Sequence, residues 1–110
     1  GNELEYKSTI QENCQGAYTG ISVKSTWKQQ VKYLKDEKIL KYPWHYYNRF
    51  DGGKLVESWK MSGQDVYNIL LPKIKKSFLS KKTKADPRLS ANITWKEIQK
   101  HGTKIKLEVK

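Results

Sequence analysis

Asp51-Gly52-Gly53, set between two aromatic-rich runs, constrains this chain more than any other stretch. Paired glycines reach the positive φ values that a two-residue hairpin turn demands, and the runs on either side have the length of strands. Lys41 to Met61 therefore reads as a β-hairpin. With Gly52 and Gly53 at the central turn positions and strict pairing outward, Phe50 faces Leu55, Tyr46 faces Trp59 and Trp44 faces Met61. Side chains alternate along a strand, so these six share one side of the ribbon as a core platform. The other side then holds His45, Tyr47, Arg49, Lys54 and Lys60, basic groups with an aromatic among them, as an exposed working face. An Asp51-Gly52 turn would set Phe50 against Gly53 and dissolve the aromatic pairs, which favours the first register.

The rest of the chain supplies partners for that platform. Residues 3–10 alternate, with Leu4, Tyr6 and Ile10 on one side of a half-buried strand, and residues 11–16 form a turn. Residues 17–24 make a second strand, weakened at Gly20, where a bulge is expected. Thr26 and Gln29 form a capping box at the start of a helix reaching to about Leu40, and Trp27, Val31, Leu34 and Lys38 form its apolar stripe. Ser62 caps a further helix through Val66, Ile69, Leu70 and Ile74. Pro72 either kinks it or starts a second helix at lower cost. Residues 80–92 read as an exposed basic loop. Thr94 and Glu97 are a second capping box, with Ile93 and Ile98 at the staple positions around it. Gly102 stops this short helix, and a strand follows in which Ile105, Leu107 and Val109 alternate with charged residues. The order β-β-α-β-β-α-α-β predicts an α+β fold with a mostly antiparallel sheet, a central Gly-Gly hairpin and about three helices.

At 110 residues the chain reads as one domain, 1–110, cut from a larger protein, since it opens without Met. Four Trp, seven Tyr and two Phe offset a hydrophobic fraction of only 36%, because each buried aromatic removes roughly 150–250 Å² from water. A single cysteine, Cys14, allows no internal disulfide and points to a reducing, intracellular location. No apolar run has the length of a membrane span. The net charge is +11, and its distribution is uneven: residues 1–23 carry one Lys and three Glu, whereas the remainder carries 21 basic and eight acidic residues. Such a body favours a polyanion as partner, nucleic acid before anionic membrane or an acidic protein.

Catalytic and metal-binding patterns are sparse. The two histidines, His45 and His101, belong to no metal-ligand spacing, and the chain shows no phosphate-cradling glycine loop, nucleophile elbow or H-E-x-x-H. No metal or cofactor is expected. His101 precedes the stop glycine, where a cationic ring suits a helix C-terminus. His45 is the one catalytic candidate, as the base of a small metal-independent nuclease or toxin domain, with Arg49 or Lys60 against the phosphate. It lacks a second acid–base group, since Glu57 falls on the opposite hairpin face beside Asn48, and a stacking or hydrogen-bonding role is favoured. The E-x-x-K spacing of Glu57 and Lys60 departs from the E-x-K of metal-dependent nucleases. Asn92-Ile93-Thr94 has the form of a glycosylation sequon, but Thr94 serves better as a helix cap.

A binding domain without catalysis of its own fits these residues best, with DNA slightly ahead of RNA. Three basic groups would meet phosphate: Lys28, Lys32 and Lys35 on the first helix, Arg49, Lys54 and Lys60 on the hairpin, and the run from Lys73 through Lys76, Lys81 and Lys82 to Lys84, followed by Arg88. His45 and Tyr47 would stack on a base or lie along a sugar. Helix 26–40 running into a Gly-Gly hairpin resembles the recognition helix and wing of winged-helix DNA-binding domains, over about a third of the chain. That resemblance implies groove contacts from Lys28, Gln29, Lys32 and Lys35 and wing contacts from Arg49 and Lys54. The family's two earlier helices have no counterpart in residues 1–25. The alternative functions are the nuclease centred on His45 and a module that docks the Lys73–Lys84 run on an acidic protein or anionic lipid.

Overall fold

In chain order the elements are β1 (Leu4–Thr9), β2 (Gly16–Ser22), α1 (Trp27–Tyr33) continued by a π-helical turn (Leu34–Lys38), β3 (Trp44–Asp51), β4 (Lys54–Ser62), α2 (Gly63–Lys81), β5 (Arg88–Ile93), α3 (Trp95–His101) and β6 (Thr103–Lys104). This computed structural model describes residues 4–9, 13–81 and 88–107, with the backbone alone at 4, 5 and 81. A four-stranded sheet has the order β1-β3-β4-β6, with β1 parallel to β3 and the other pairs antiparallel, and β2 pairs with β5 in a separate antiparallel ribbon. The fold is α+β, mostly antiparallel, with the Gly-Gly hairpin at its centre.

Gly52 and Gly53 take φ values of 55° and 82° and turn the chain between Asp51 and Lys54, which pair across the strands. Phe50 faces Leu55 as the sequence predicts, but there strict pairing ends. Val56 is an extra residue on β4, so Arg49 pairs with Glu57, Tyr47 with Trp59, His45 with Met61 and Trp44 with Ser62. A bulge moves one strand by one residue, and with a side-chain period of two every later pair changes face. Trp59 and Met61 thus join His45 and Tyr47 instead of Tyr46 and Trp44. This corrects the expected platform: the core side of the hairpin carries His45, Tyr47 and Met61, and the solvent side carries Trp44, Tyr46 and Lys60. Tyr6, paired with Tyr46 through β1, also lies on the solvent side.

Both capping boxes form, at Thr26/Gln29 and Thr94/Glu97, and the Asp65 amide donates to the Ser62 hydroxyl ahead of α2. The helix of α2 is continuous through Pro72, contrary to the cheaper alternative of two helices. Pro72 is exposed while Val66, Leu70, Ile74 and Phe78 run along the buried side, so the missing amide bond falls where water can satisfy the freed carbonyl. The end of the expected basic loop is instead β5: Leu89, Ala91 and Ile93 point inward while Arg88, Ser90 and Asn92 point out, and the strand pairs with β2 across the bulge at Gly20 (φ 68°). Among the described residues the last strand covers only Thr103–Lys104, although the Ile105 amide still donates to the Ser58 carbonyl, and Val109 of the expected alternation lies outside them.

The core lies between the inner side of the four-stranded sheet, α2, α3 and the ribbon, and takes in Tyr47, Met61, Leu70, Ile74, Leu89, Ile93 and Ile98. Gly16 is required there, because a Cβ at that position would come within 2.5 Å of the Tyr47 ring. Leu34 is buried in the π turn, and Gln30, off the expected stripe, is buried too. Its amide accepts from the Lys24 N–H at 2.8 Å and donates to the Ser22 carbonyl at 3.0 Å, tying α1 to the exit of β2. Buried polar groups need such partners.

Candidate nucleic-acid interface

The basic face expected on the hairpin is divided between the interior and its margin. His45 and Tyr47 are 0% exposed. The His45 ring donates from Nε2 to the Ile39 carbonyl at 3.1 Å, and its Nδ1 hydrogen-bonds with the Tyr18 hydroxyl at 2.9 Å. The Tyr47 and Tyr18 hydroxyls hydrogen-bond to each other at 2.6 Å. With its ring buried and both nitrogens engaged, His45 offers neither a base for phosphodiester cleavage nor a stacking surface in this arrangement, and Tyr47 is equally enclosed. Burial of β3 by the ribbon, through Tyr18, decides this.

Arg49 lies at the margin. Its Nε is 3.4 Å from Glu57 Oε1, and Glu57 Oε2 accepts from Trp59 Nε1 at 2.6 Å. Glu57 therefore shares the side of Arg49, not that of Asn48. Close by, the Cys14 thiol donates to the Tyr47 carbonyl, and burial, helped by the Glu57 charge, pushes it up to about 11 against the opposing pull of Arg49 and Lys104. Lys54 stands exposed at the hairpin tip.

The Lys73–Lys84 run is not one stripe. Successive residues of a helix fan out by about 100° each, and the side chains follow that geometry. Lys73 turns to the ribbon, donating to Glu97 Oε1 at 2.6 Å and to the Asn92 carbonyl at 2.7 Å, so it ties α2 to β5 and α3. Burial alone would raise the Glu97 carboxyl, but Lys73 and the amide and hydroxyl of Thr94 outweigh it and hold the group below its ordinary value. Lys75 turns to α1, its Nζ 5.8 Å from the Trp27 ring centroid, and Lys76 is exposed on the other flank. Arg88 is exposed at the start of β5. Lys82, Lys84 and the side chain of Lys81 lie outside the described residues.

Two surfaces remain. One is the outer flank of the helices. Trp27 packs on Phe78 and Lys35 lies 5.8 Å from the Tyr67 ring, so α1 with its π turn runs antiparallel to α2. Lys28, Lys32 and Lys35 are exposed on α1 and its π turn, and Lys75 reaches towards α1 at Trp27. Lys32 pairs with Asp36 at 3.0 Å, but with side chains 78% and 58% exposed such a pair holds the lysine by less than about 1 kcal/mol. Gln29, assigned to the groove by the winged-helix resemblance, uses its side chain in the capping box. The hairpin is no free wing either, being flanked by β1 and β6 in the sheet.

The second surface is the solvent side of the four-stranded sheet, which reading the sequence assigned to the core. Tyr6 (57% exposed) stacks on Tyr46, ring centroids 5.1 Å apart and planes 18° from parallel. Trp44 (39% exposed) lies two residues from Tyr46 along β3, and Lys60 Nζ is 4.6 Å from its ring centroid. A cation over an exposed indole is worth about 0.5–1 kcal/mol. Ser58 and Asn48 hydrogen-bond to one another between these rings and the hairpin tip, where Leu55 and Val56 are exposed. One clue to this surface is legible: Val56 beside Leu55 puts two apolar residues in succession and breaks the alternation of β4.

The concave surfaces are open and shallow, and the grooves at β1–β2 and along α1 are lined mainly by polar side chains. Among the described residues no group of three or more His, Cys, Asp or Glu could hold a metal ion, and no helix is long and apolar enough to cross a membrane. Comparison of the chain with protein-family models, with curated proteins and with solved structures finds no match.

Proposed function

We propose that this protein is a nucleic-acid-binding domain that engages the phosphate backbone through lysines of α1 and α2. The observation that supports the reading is the contact between α1 and α2, in which Lys35 lies near Tyr67 and Lys75 near Trp27, beside the exposed Lys28 and Lys32 of α1, on a chain of net charge +11. A polyanion with closely spaced charges gains most from such an array, because each lysine that reaches a phosphate releases condensed counterions. DNA stands slightly ahead of RNA in this reading. The location is intracellular, consistent with a lone, buried Cys14 thiol.

An electrophoretic shift assay with duplex DNA, single-stranded DNA and RNA, each at low and moderate salt, tests the proposal. Binding should weaken steeply with salt, and the triple variant Lys28→Glu, Lys32→Glu, Lys35→Glu should lose affinity by at least about 10-fold and show a shallower salt slope. Affinity independent of salt, or unchanged in the triple variant, would exclude the helix flank as the binding site.

A further inference from the structure

We propose that the solvent side of the four-stranded sheet is a second binding surface, one that stacks the bases of an unpaired strand. Tyr6 with Tyr46 forms one station, Trp44 forms the next, and Lys60 supplies a cation for the phosphate between them. The proposal rests on the nucleic-acid reading above but uses different residues on a different face.

The sheet presents its aromatics in a form that duplex DNA cannot use. In a duplex the base faces are stacked on each other, and only the groove edges are open. The rings here lie across a sheet at least two strands wide, with no projecting helix to enter a groove. Tyr6 and Tyr46 are in register on adjacent strands, and Trp44 follows along β3 at roughly 6.6 Å, two strand residues on. Aromatic side chains displayed at intervals on an open sheet suit bases that have left the stack, since every base has a π-face. Tyr6, with more than half of its surface in water, offers its ring on the edge strand, while its inner side rests on Tyr46.

Lys60 fits the same occupant. Its ammonium now lies over Trp44, a contact weaker than base stacking, and its four-carbon stem lets it leave the ring for a phosphate as a base arrives. A second copy of this chain fits less well. A symmetric contact through this face would desolvate Lys60 of both copies, on two bodies that each carry +11. The half-buried Asn48, which accepts from the buried Ser58 hydroxyl, also interrupts the apolar area.

The test is fluorescence anisotropy with end-labelled oligonucleotides of one length, unpaired and duplex, on the wild type, Trp44→Ala, Tyr6→Ser and Trp44→Phe. Circular dichroism of each variant checks its fold. The unpaired strand should bind about 10-fold or more tighter than the duplex. Trp44→Ala and Tyr6→Ser should each weaken the unpaired strand by about 10-fold while leaving duplex affinity and the salt slope unchanged, and Trp44→Phe should retain most of the affinity. Tyr6→Ser, at a ring already exposed, decides the matter if Trp44→Ala fails to fold. Equal affinity for strand and duplex, or full affinity in Tyr6→Ser and Trp44→Ala, overturns the stacking surface and leaves the helix-flank proposal standing. Absence of binding to any oligonucleotide at low salt overturns both. A change in sedimentation of Trp44→Ala with no change in strand affinity would assign the face to self-association instead.

Discussion

Tyr18 brings a hydroxyl into the core where a plain ring would fill nearly the same volume. That hydroxyl hydrogen-bonds with both His45 and Tyr47, and His45 in turn holds the carbonyl of Ile39, where the π turn ends. Tyr18→Phe keeps the ring and removes the link. We expect a loss of about 1–3 kcal/mol, because buried polar groups forfeit a partner without gaining water. Urea denaturation measures it, and a change below about 0.5 kcal/mol would show that the network is not a stabilising element. Glu97 gives a second expectation. Its carboxyl titrates below the ordinary value in the folded protein, so the stability it contributes is present above the ordinary carboxylate range and is lost as pH falls through the lowered value. Lys73→Met should lower stability at neutral pH by about 1 kcal/mol or less and flatten the decline between about pH 5 and pH 2. Denaturation curves across that range would show an unchanged decline if Lys73 did not hold the carboxylate. Thr94 and Glu97 were legible as a pair because a capping box is local. The link to Lys73, 24 residues away in sequence, leaves no local trace.

Among the elements, the hairpin shows how one residue redirects a surface. The turn was legible because two consecutive positive-φ positions call for glycine, and the pairing of Phe50 with Leu55 follows from it. Beyond that pair, Val56 sends Trp59 and Met61 to the side of Tyr47 and His45. Deleting Val56 should leave the pairing from Arg49 outward intact, since it removes only the unopposed residue. Stability should change by less than about 1.5 kcal/mol, and a nuclear Overhauser contact between Tyr47 and Trp59 should persist. In the wild type, a contact between Tyr46 and Trp59 in place of Tyr47 and Trp59 would refute the observed register, and loss of the Tyr47–Trp59 contact in the deletion variant would show that Val56 is not the unopposed residue. Both β5 and α2 show how burial settles what periodicity leaves open. Leu89, Ala91 and Ile93 alternate in the sequence, but next to a lysine-rich run that signal is short, and pairing with β2 is what makes the strand. Pro72 is accommodated because the gap in its helix ladder faces water.

For the whole molecule, the charge of +11 acts against the compact state as well as for a partner. Raising sodium chloride from about 0.02 M to about 0.2 M screens like-charge repulsion, so the urea midpoint should rise over that range in the absence of nucleic acid. A falling midpoint would mean that ion pairs such as Arg49–Glu57 and Lys73–Glu97 outweigh the repulsion. Over the same range affinity for nucleic acid should fall. Measured together, the two trends separate the effect of salt on the fold from its effect on the complex.

Local chemistry determined much of this protein by itself. Capping boxes, the Gly-Gly turn, the strand alternations and the basic excess all depend on neighbours within a few residues or on composition, and all of these are written in the chain. Tertiary structure decided which side of the hairpin is inside. Placing the ribbon and α2 on one face of the sheet buried His45 and Tyr47 and left Tyr6 and Trp44 exposed, with Tyr46 half-buried between them. The aromatics of β3 are nearly equivalent in sequence, so only long-range packing, together with a one-residue bulge, could tell the core from the surface.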